Sequence, residues 1–190
     1  DFQGSRGLGD VYKRQALACD AMSLALFELG SISERRMDQM LDPTRSGLPA
    51  FLASNSGLES GLMIVQYAAG SSLAELHGQT APRTAFSTTT SAGQEDHVSM
   101  GATAAWNLRV GVRRLSEVLA CELLIASEAL EHASFSSSPH VNGLVQLVRT
   151  ISPPLQGDRS TSEELRTLAE MLRTGGWLAR LESEHGRLPR

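Results

Sequence analysis

Between residues 94 and 132 the chain contains no proline, and Leu108, Val112, Leu115, Leu119, Leu123, Ala126 and Leu130 recur at helical spacing. A single helix over that span would extend about 55 Å, the length of a bundle helix rather than one packed inside a small mixed domain. That rod constrains the rest of the chain to supply long helical partners for it.

The flanking segments are read the same way. From Ala16 the apolar positions Leu17, Ala21, Leu24 and Phe27 keep a helical period, and Gly30 is expected to close the helix. A second piece then restarts at "SISERRMDQML", with Ser31 or Ser33 as N-cap and Asp42-Pro43 as its stop. The segment "PTRSGLPAFLASNSG" is punctuation. Beyond it, Leu58, Leu62, Val65, Ala69, Leu73 and Leu76 mark another helix, whose other side (Gly61, Ile64, Ala68, Ser71, Ser72) is also nearly uncharged. A helix apolar or small all round is buried in a larger assembly. Ser138-Pro139 opens a shorter helix to Ile151, and "STSEELRTLAEMLRTGG" has a cap, early glutamates and a Gly-Gly stop. No β-hairpin signal occurs, so the fold class is all-α, a long-helix bundle.

Composition excludes several functions. A net charge of −4, with no basic cluster interleaved with aromatics, gives no electrostatic footprint for nucleic acid. The longest uncharged apolar stretch, 60–74, is too short to span a bilayer, and no signal peptide is visible, so a cytoplasmic location is expected. Cys19 and Cys121 read as buried free thiols in a reducing compartment.

Residues 1–15, "DFQGSRGLGDVYKRQ", differ from the rest of the chain: they hold its only lysine, Lys13, and one of its two tyrosines. The expectation is a leader of foreign origin, a cloning or assembly join, ahead of a helical unit over 16–190. "GSRGLG" lacks a preceding strand and is a weak phosphate loop.

The densest titratable group is "SAGQEDHVSM", where Glu95, Asp96 and His97 stand side by side at the expected mouth of the long helix. Three readings stay open. Ser91 and Gln94 fit a capping box, and acidic residues in a first helical turn are favoured by the macrodipole by about 0.3–1 kcal/mol each. A catalytic acid/base is the second reading. A metal site is the poorest, because three consecutive helical residues diverge and no H-x-x-x-H or E-x-x-H pair completes them. No G-x-S-x-G nucleophile motif is present either. His77 and His132 fit helix C-termini, His140 follows a helix-starting proline, and His185 falls in a polar tail. Met63, Met100 and Met171 read as core filler, and 33–36, "SERR", as a solvated or inter-subunit ion-pair surface.

"SISERRMDQMLDP", "GLPAFLASNSGLESGLMIVQY" and "TSAGQEDHVSMG" resemble, in order and separation, the C-terminal third of the aromatic amino acid ammonia-lyases, closely over 16–105 and generically from residue 106 onward. The resemblance implies a helical-bundle homotetramer that eliminates ammonia from a small-molecule substrate, an aromatic amino acid. It also implies an electrophile, a 4-methylidene-imidazol-5-one ring made autocatalytically from Ala-Ser-Gly. Gln94-Glu95-Asp96 resembles the histidine-specific branch rather than the Asn-Gln-Asp of the phenylalanine and tyrosine enzymes, which implies L-histidine converted to trans-urocanate. By the same resemblance Glu95 matches the active-site carboxylate, as acid/base or substrate anchor, with Gln94 beside it in substrate binding, and Asp96 and His97 are support.

Two departures qualify the likeness. No Ala-Ser-Gly triplet occurs in the chain, and Tyr67 does not sit in the motif of the family's tyrosine base, so the chain taken alone is expected to be inactive. "TAFSTTTSAG" also replaces the family's usual approach to the motif, which leaves phenylalanine or tyrosine lyases and aminomutases as alternatives. A non-catalytic helical oligomerisation module is the rival of another class. Exposed apolar faces on this scale predict that the isolated chain aggregates or melts early.

Overall fold

A computed structural model describes residues 4–95, 97–134 and 137–187. Its α-helices are α1 (Gly4–Leu41), a short α2 (Pro43–Ser46), α3 (Met63–Gly78), α4 (Gly101–His132), α5 (Pro139–Arg149), α6 (Ser162–Thr174) and α7 (Gly176–His185). No named strand occurs among the described residues, only the isolated bridges Ser56 to Glu59 and Thr90 to Glu95.

Helix α4 is the axis on which α1, α3, α5 and α6 pack. Its 32 residues span about 48 Å. The long helix therefore exists but begins at Gly101, seven positions later than expected from Gln94. Its buried face is also offset from the leucine stripe. Ala104, Asn107, Gly111, Leu115, Val118, Cys121, Leu124 and Ile125 face inward, while Val112 is 40% exposed.

Helix α1 corrects the sequence reading more sharply. It runs unbroken for 38 residues, through both residue 15 and Gly30. Gly30 is buried as a point of close approach: a Cβ there would lie 3.2 Å from Leu73 Cδ1 and Leu76 Cδ2. Its missing side chain lets α1, α3 and α4 converge, so the glycine serves packing rather than termination. The inward stripe is Ala16, Asp20, Ser23, Gly30, Ser33, Met37 and Leu41, whereas Leu17 and Leu24 are each 51% exposed. Over 16–33, therefore, apolar side chains line the outer face and small or polar ones the inner, and only from Met37 does the inner face become apolar. Ser23 Oγ donates to the Cys19 carbonyl at 3.0 Å, the back-bond that satisfies a buried helical serine.

Neither Ser33 nor Glu34 belongs to a solvated surface, and Ser31 and Ser33 cap no helix. Ser33 is fully buried and its Oγ donates to Glu122 Oε2 at 2.6 Å, while Arg36 closes on the same carboxylate. Charge at the far end of α4 is handled similarly. Glu128, 4% exposed, pairs with Arg149 at 3.0 Å and accepts the Leu155 N–H at 3.1 Å. A buried carboxylate with both oxygens occupied avoids the cost of an unpaired charge.

The main apolar core lies between α1, α3, α4 and α6, around Met37, Leu62, Val65, Leu124, Ile125 and Leu168. Val65, Ala69 and Leu76 of α3 are buried as expected, but Leu58 lies outside the helix at 92% exposed. Helices α5 and α6 start and stop near their predicted bounds: Ser138 Oγ accepts the Val141 N–H, and Gly175 ends α6 at φ 73°. The Gly-Gly pair is a corner rather than an end, because α7 follows at once with Leu181 buried.

Candidate functional site

The segment between α3 and α4 carries "QEDH", and it is a braced loop. A 3-10 turn over Ser91–Gly93 places Ser91, Ala92 and Gly93 at φ 55°, 55° and 89°. Thr90 N–H donates to the Glu95 carbonyl at 2.8 Å and Glu95 N–H donates back to Thr90 O at 3.3 Å. Outside that pair, Ser87 Oγ accepts the Val98 N–H at 2.9 Å and donates to the Val98 carbonyl at 3.2 Å. These pairings hold 87–98 as a narrow, doubly clasped loop. The Glu95 and Val98 backbones are committed to cross-loop bonds, so α4 does not continue back through them. Met100, at φ 54°, completes the break, and Ser99 Oγ accepts the Gly101 N–H at 3.3 Å where the helix begins.

The capping-box expectation is therefore overturned. Ser91 and Gln94 meet through a backbone bond, Gln94 N–H to Ser91 O at 3.2 Å, and neither starts an α-helix. Glu95 precedes the first residue of α4 by six positions, beyond the first-turn reach of the macrodipole. Helix-start charge does not account for it.

Glu95 is exposed, and its Oε2 takes the Thr90 hydroxyl at 3.4 Å, so one oxygen is loosely oriented while the carboxylate stays accessible. Gln94 and His97 are exposed beside it, and Asp96 lies outside the described residues. Among the described residues no group of three or more His, Cys, Asp and Glu is placed to hold a metal ion.

The base of the loop is fixed by groups that pattern reading passed over. Asp20 of α1, 8% exposed, accepts the Arg83 N–H at 3.1 Å, the Thr84 N–H at 3.0 Å and the Thr84 hydroxyl at 2.6 Å. Burial pushes this carboxyl up. The bonds from Thr84 and Arg83, with the Arg83 charge, outweigh it and hold the group below the usual aspartate range. Asn107 of α4, 4% exposed, donates to the Gln79 carbonyl at 2.6 Å and accepts Arg83 Nη2 at 2.7 Å. Lys13 Nζ adds a bond to the Thr84 carbonyl at 2.9 Å. The available signal was Asp20 recurring with Ala16 and Ser23 at helical spacing, a polar stripe that the adjacent leucines mask.

The remaining histidines fall where expected in part. His77 ends α3 with its ring 5.0 Å from that of Phe27, and His132 ends α4. A cleft of about 490 Å³ between α4 and α6 is lined by Trp106 and four arginines. Arg113, Arg166 and Arg173 there are already paired with Glu117, Glu163 and Glu170.

A sequence model of the aromatic amino acid lyases matches residues 12–150. The histidine ammonia-lyase of Symbiobacterium thermophilum is 42% identical over 174 residues, covering 91% of this chain and 34% of that protein. In structure, the histidine ammonia-lyase of Trypanosoma cruzi superposes with a TM-score of 0.83 at 36% identity, covering 88% of this chain and 33% of that one. The tyrosine aminomutase of Streptomyces globisporus superposes with a TM-score of 0.86 at 30% identity, covering 92% and 34%. The chain spans about a third of the length of the curated relatives it matches.

Proposed function

Because the chain belongs to the aromatic amino acid lyase family, we propose that it forms part of an enzyme that eliminates ammonia from L-histidine to give trans-urocanate, with Glu95 as its contribution to the chemistry. The observation that carries this reading is the exposed Glu95 carboxylate on a doubly clasped loop, within the "QEDH" context of the histidine branch. The β-proton of histidine is a poor acid, so elimination needs both an activating electrophile and a poised acid/base or anchor. A carboxylate on a pre-set loop can meet the substrate's ammonium or imidazole without reorganising. Gln94, next to it and exposed, is proposed as a substrate contact.

The family's electrophile is the self-derived methylidene-imidazolone, which supplies activation of the substrate when present. Ser91-Ala92-Gly93 has the wrong order to form it, and no Ala-Ser-Gly occurs elsewhere in the chain. This chain's residues do not fit as its source, and their part is limited to orienting and proton-handling groups.

A homotetramer is proposed on apolar surface. Leu17, Met22, Leu24 and Ile32 of α1 and Ile64 and Tyr67 of α3 are each more than half exposed, which asks for cover from further helices or copies. Tyr12–Leu41 is also long and apolar enough to cross a membrane by length and composition. Its inward face carries Asp20, Ser23, Ser33 and Glu34 packed in a protein core, which supports a cytoplasmic soluble enzyme instead. The foreign origin of residues 1–15 rests on composition alone, since α1 passes through residue 15 without a break and Lys13 bonds Thr84.

A second reading is an aminomutase or lyase acting on tyrosine or phenylalanine, favoured by the close superposition on the tyrosine aminomutase. Expression of the full reading frame and addition of L-histidine separates the two. Rising urocanate absorbance supports the first. Turnover of tyrosine or phenylalanine with none of histidine replaces it with the second.

A further inference from the structure

We infer that Asp20 and Asn107 are positioning residues for Glu95, acting through the loop between α3 and α4; the inference rests on the reading of Glu95 as the functional carboxylate. Asp20 is buried on the inner face of α1, and it accepts three hydrogen bonds, all from Arg83 and Thr84. None of these bonds is needed to pair α1 with α4. They fix the start of the 3-10 turn over Arg83–Ala85.

Asn107 works on the same stretch from the opposite helix. Its amide donates to Gln79 O at the end of α3 and its carbonyl takes the Arg83 guanidinium. Both side-chain groups of a nearly inaccessible asparagine are thus used on the loop. Together the two residues pin 79–84 between α1 and α4.

From that pinned base the geometry passes outward in two rungs. Ser87 is tied to Val98 in both directions at 2.9 and 3.2 Å, and Thr90 is tied to Glu95 in both directions at 2.8 and 3.3 Å. The far side of the loop returns to α4 through Gly101, where an added Cβ would lie 3.7 Å from the Tyr12 carbonyl oxygen of α1. A shift at Arg83 or Thr84 therefore moves the Ser87 rung, then the Thr90 rung, then the carboxylate. Displacement of a reacting group by about 1 Å can cost on the order of a hundredfold in rate.

The test uses the full reading frame, with kinetics and amide hydrogen exchange measured on each variant. Asp20→Asn swaps one accepting oxygen for a donor facing the Thr84 and Arg83 donors. Thr84→Val removes only the hydroxyl and guards against a loss of fold in the first variant. Both are expected to lower kcat/KM about tenfold to a hundredfold, and to speed exchange of amides at 84–98 while those of α4 stay protected. In a Glu95→Gln background the same two substitutions are expected to cost nothing further, because residues acting as one unit are not additive. A purely structural role would lower activity equally in both backgrounds.

Unchanged exchange at 84–98 in Asp20→Asn overturns the inference whatever the enzyme's substrate. So does an effect that adds fully to that of Glu95→Gln. Faster exchange in Asp20→Asn with full activity in Glu95→Gln leaves Asp20 as the loop's anchor and overturns instead the reading of Glu95.

Discussion

The hydroxyl of Ser33 on α1 donates to Oε2 of Glu122 on α4 at 2.6 Å, and Arg36 grips the same carboxylate one turn further along α1. This polar clamp ties together the two longest helices. Arg36 is held above the ordinary arginine range by its bond to Glu122, against a smaller opposing effect of burial.

Ser33→Ala leaves Glu122 with Arg36 alone and is expected to cost about 1–3 kcal/mol, the loss of one buried bond to a charged group. Denaturant unfolding of the full-length protein measures it. Arg36→Ala, at a half-exposed position, is expected to cost less than the serine change.

Gly61 holds φ 54°, and a Cβ there would collide with the Phe51 carbonyl oxygen, itself bonded to the Leu62 N–H at 2.9 Å. Gly61→Ala is expected to destabilise by about 2 kcal/mol or more, from backbone strain and overpacking together. Gly70, in the middle of α3 with open space around its Cα, is the contrast, and Gly70→Ala should gain up to about 1 kcal/mol in the isolated chain. Paired thermal melts of the two variants decide the point.

The helices were legible because their periodicity is local. Pro43, Pro139, Ser138 and Gly175 act on the turn in which they sit, and each marks a real boundary. What stayed hidden depends on groups distant in sequence. Gly30 is a packing glycine only because Leu73 and Leu76 arrive against it, and nothing within one turn of it says so. Residues 94–100 look like a helix start, yet Thr90 has claimed the backbone groups of Glu95 and Ser87 those of Val98. The same holds for the site: the family motif singled out Glu95, whereas Asp20 and Asn107 show their purpose only when Arg83 and Thr84 are placed between them.

The acid limb of stability should report Asp20. Its carboxyl is depressed in the folded state, so its contribution is fully present above the ordinary aspartate pKa and is lost as pH falls through the lower folded value. Stability of the native protein is expected to fall below about pH 4, with a shallower decline in Asp20→Asn. Equal acid slopes for the two proteins would contradict the assignment.

Cys121, 3% exposed, has its thiol pushed up to about 12 by burial and then by the nearby Glu117. At pH 8 it should resist an aromatic disulfide reagent in the folded protein and react at the rate of unfolding. Half-buried Cys19 is expected to label first. Peptide mapping after a short exposure distinguishes the two.

The most direct measurement is urocanate formation by the full reading frame with Glu95→Gln beside the parent protein. A loss of turnover of about a hundredfold or more, with an unchanged melting temperature, is the result predicted for a carboxylate that acts on substrate from a braced loop. Equal turnover in the two proteins would contradict it and return Glu95 to a surface residue of a helical scaffold.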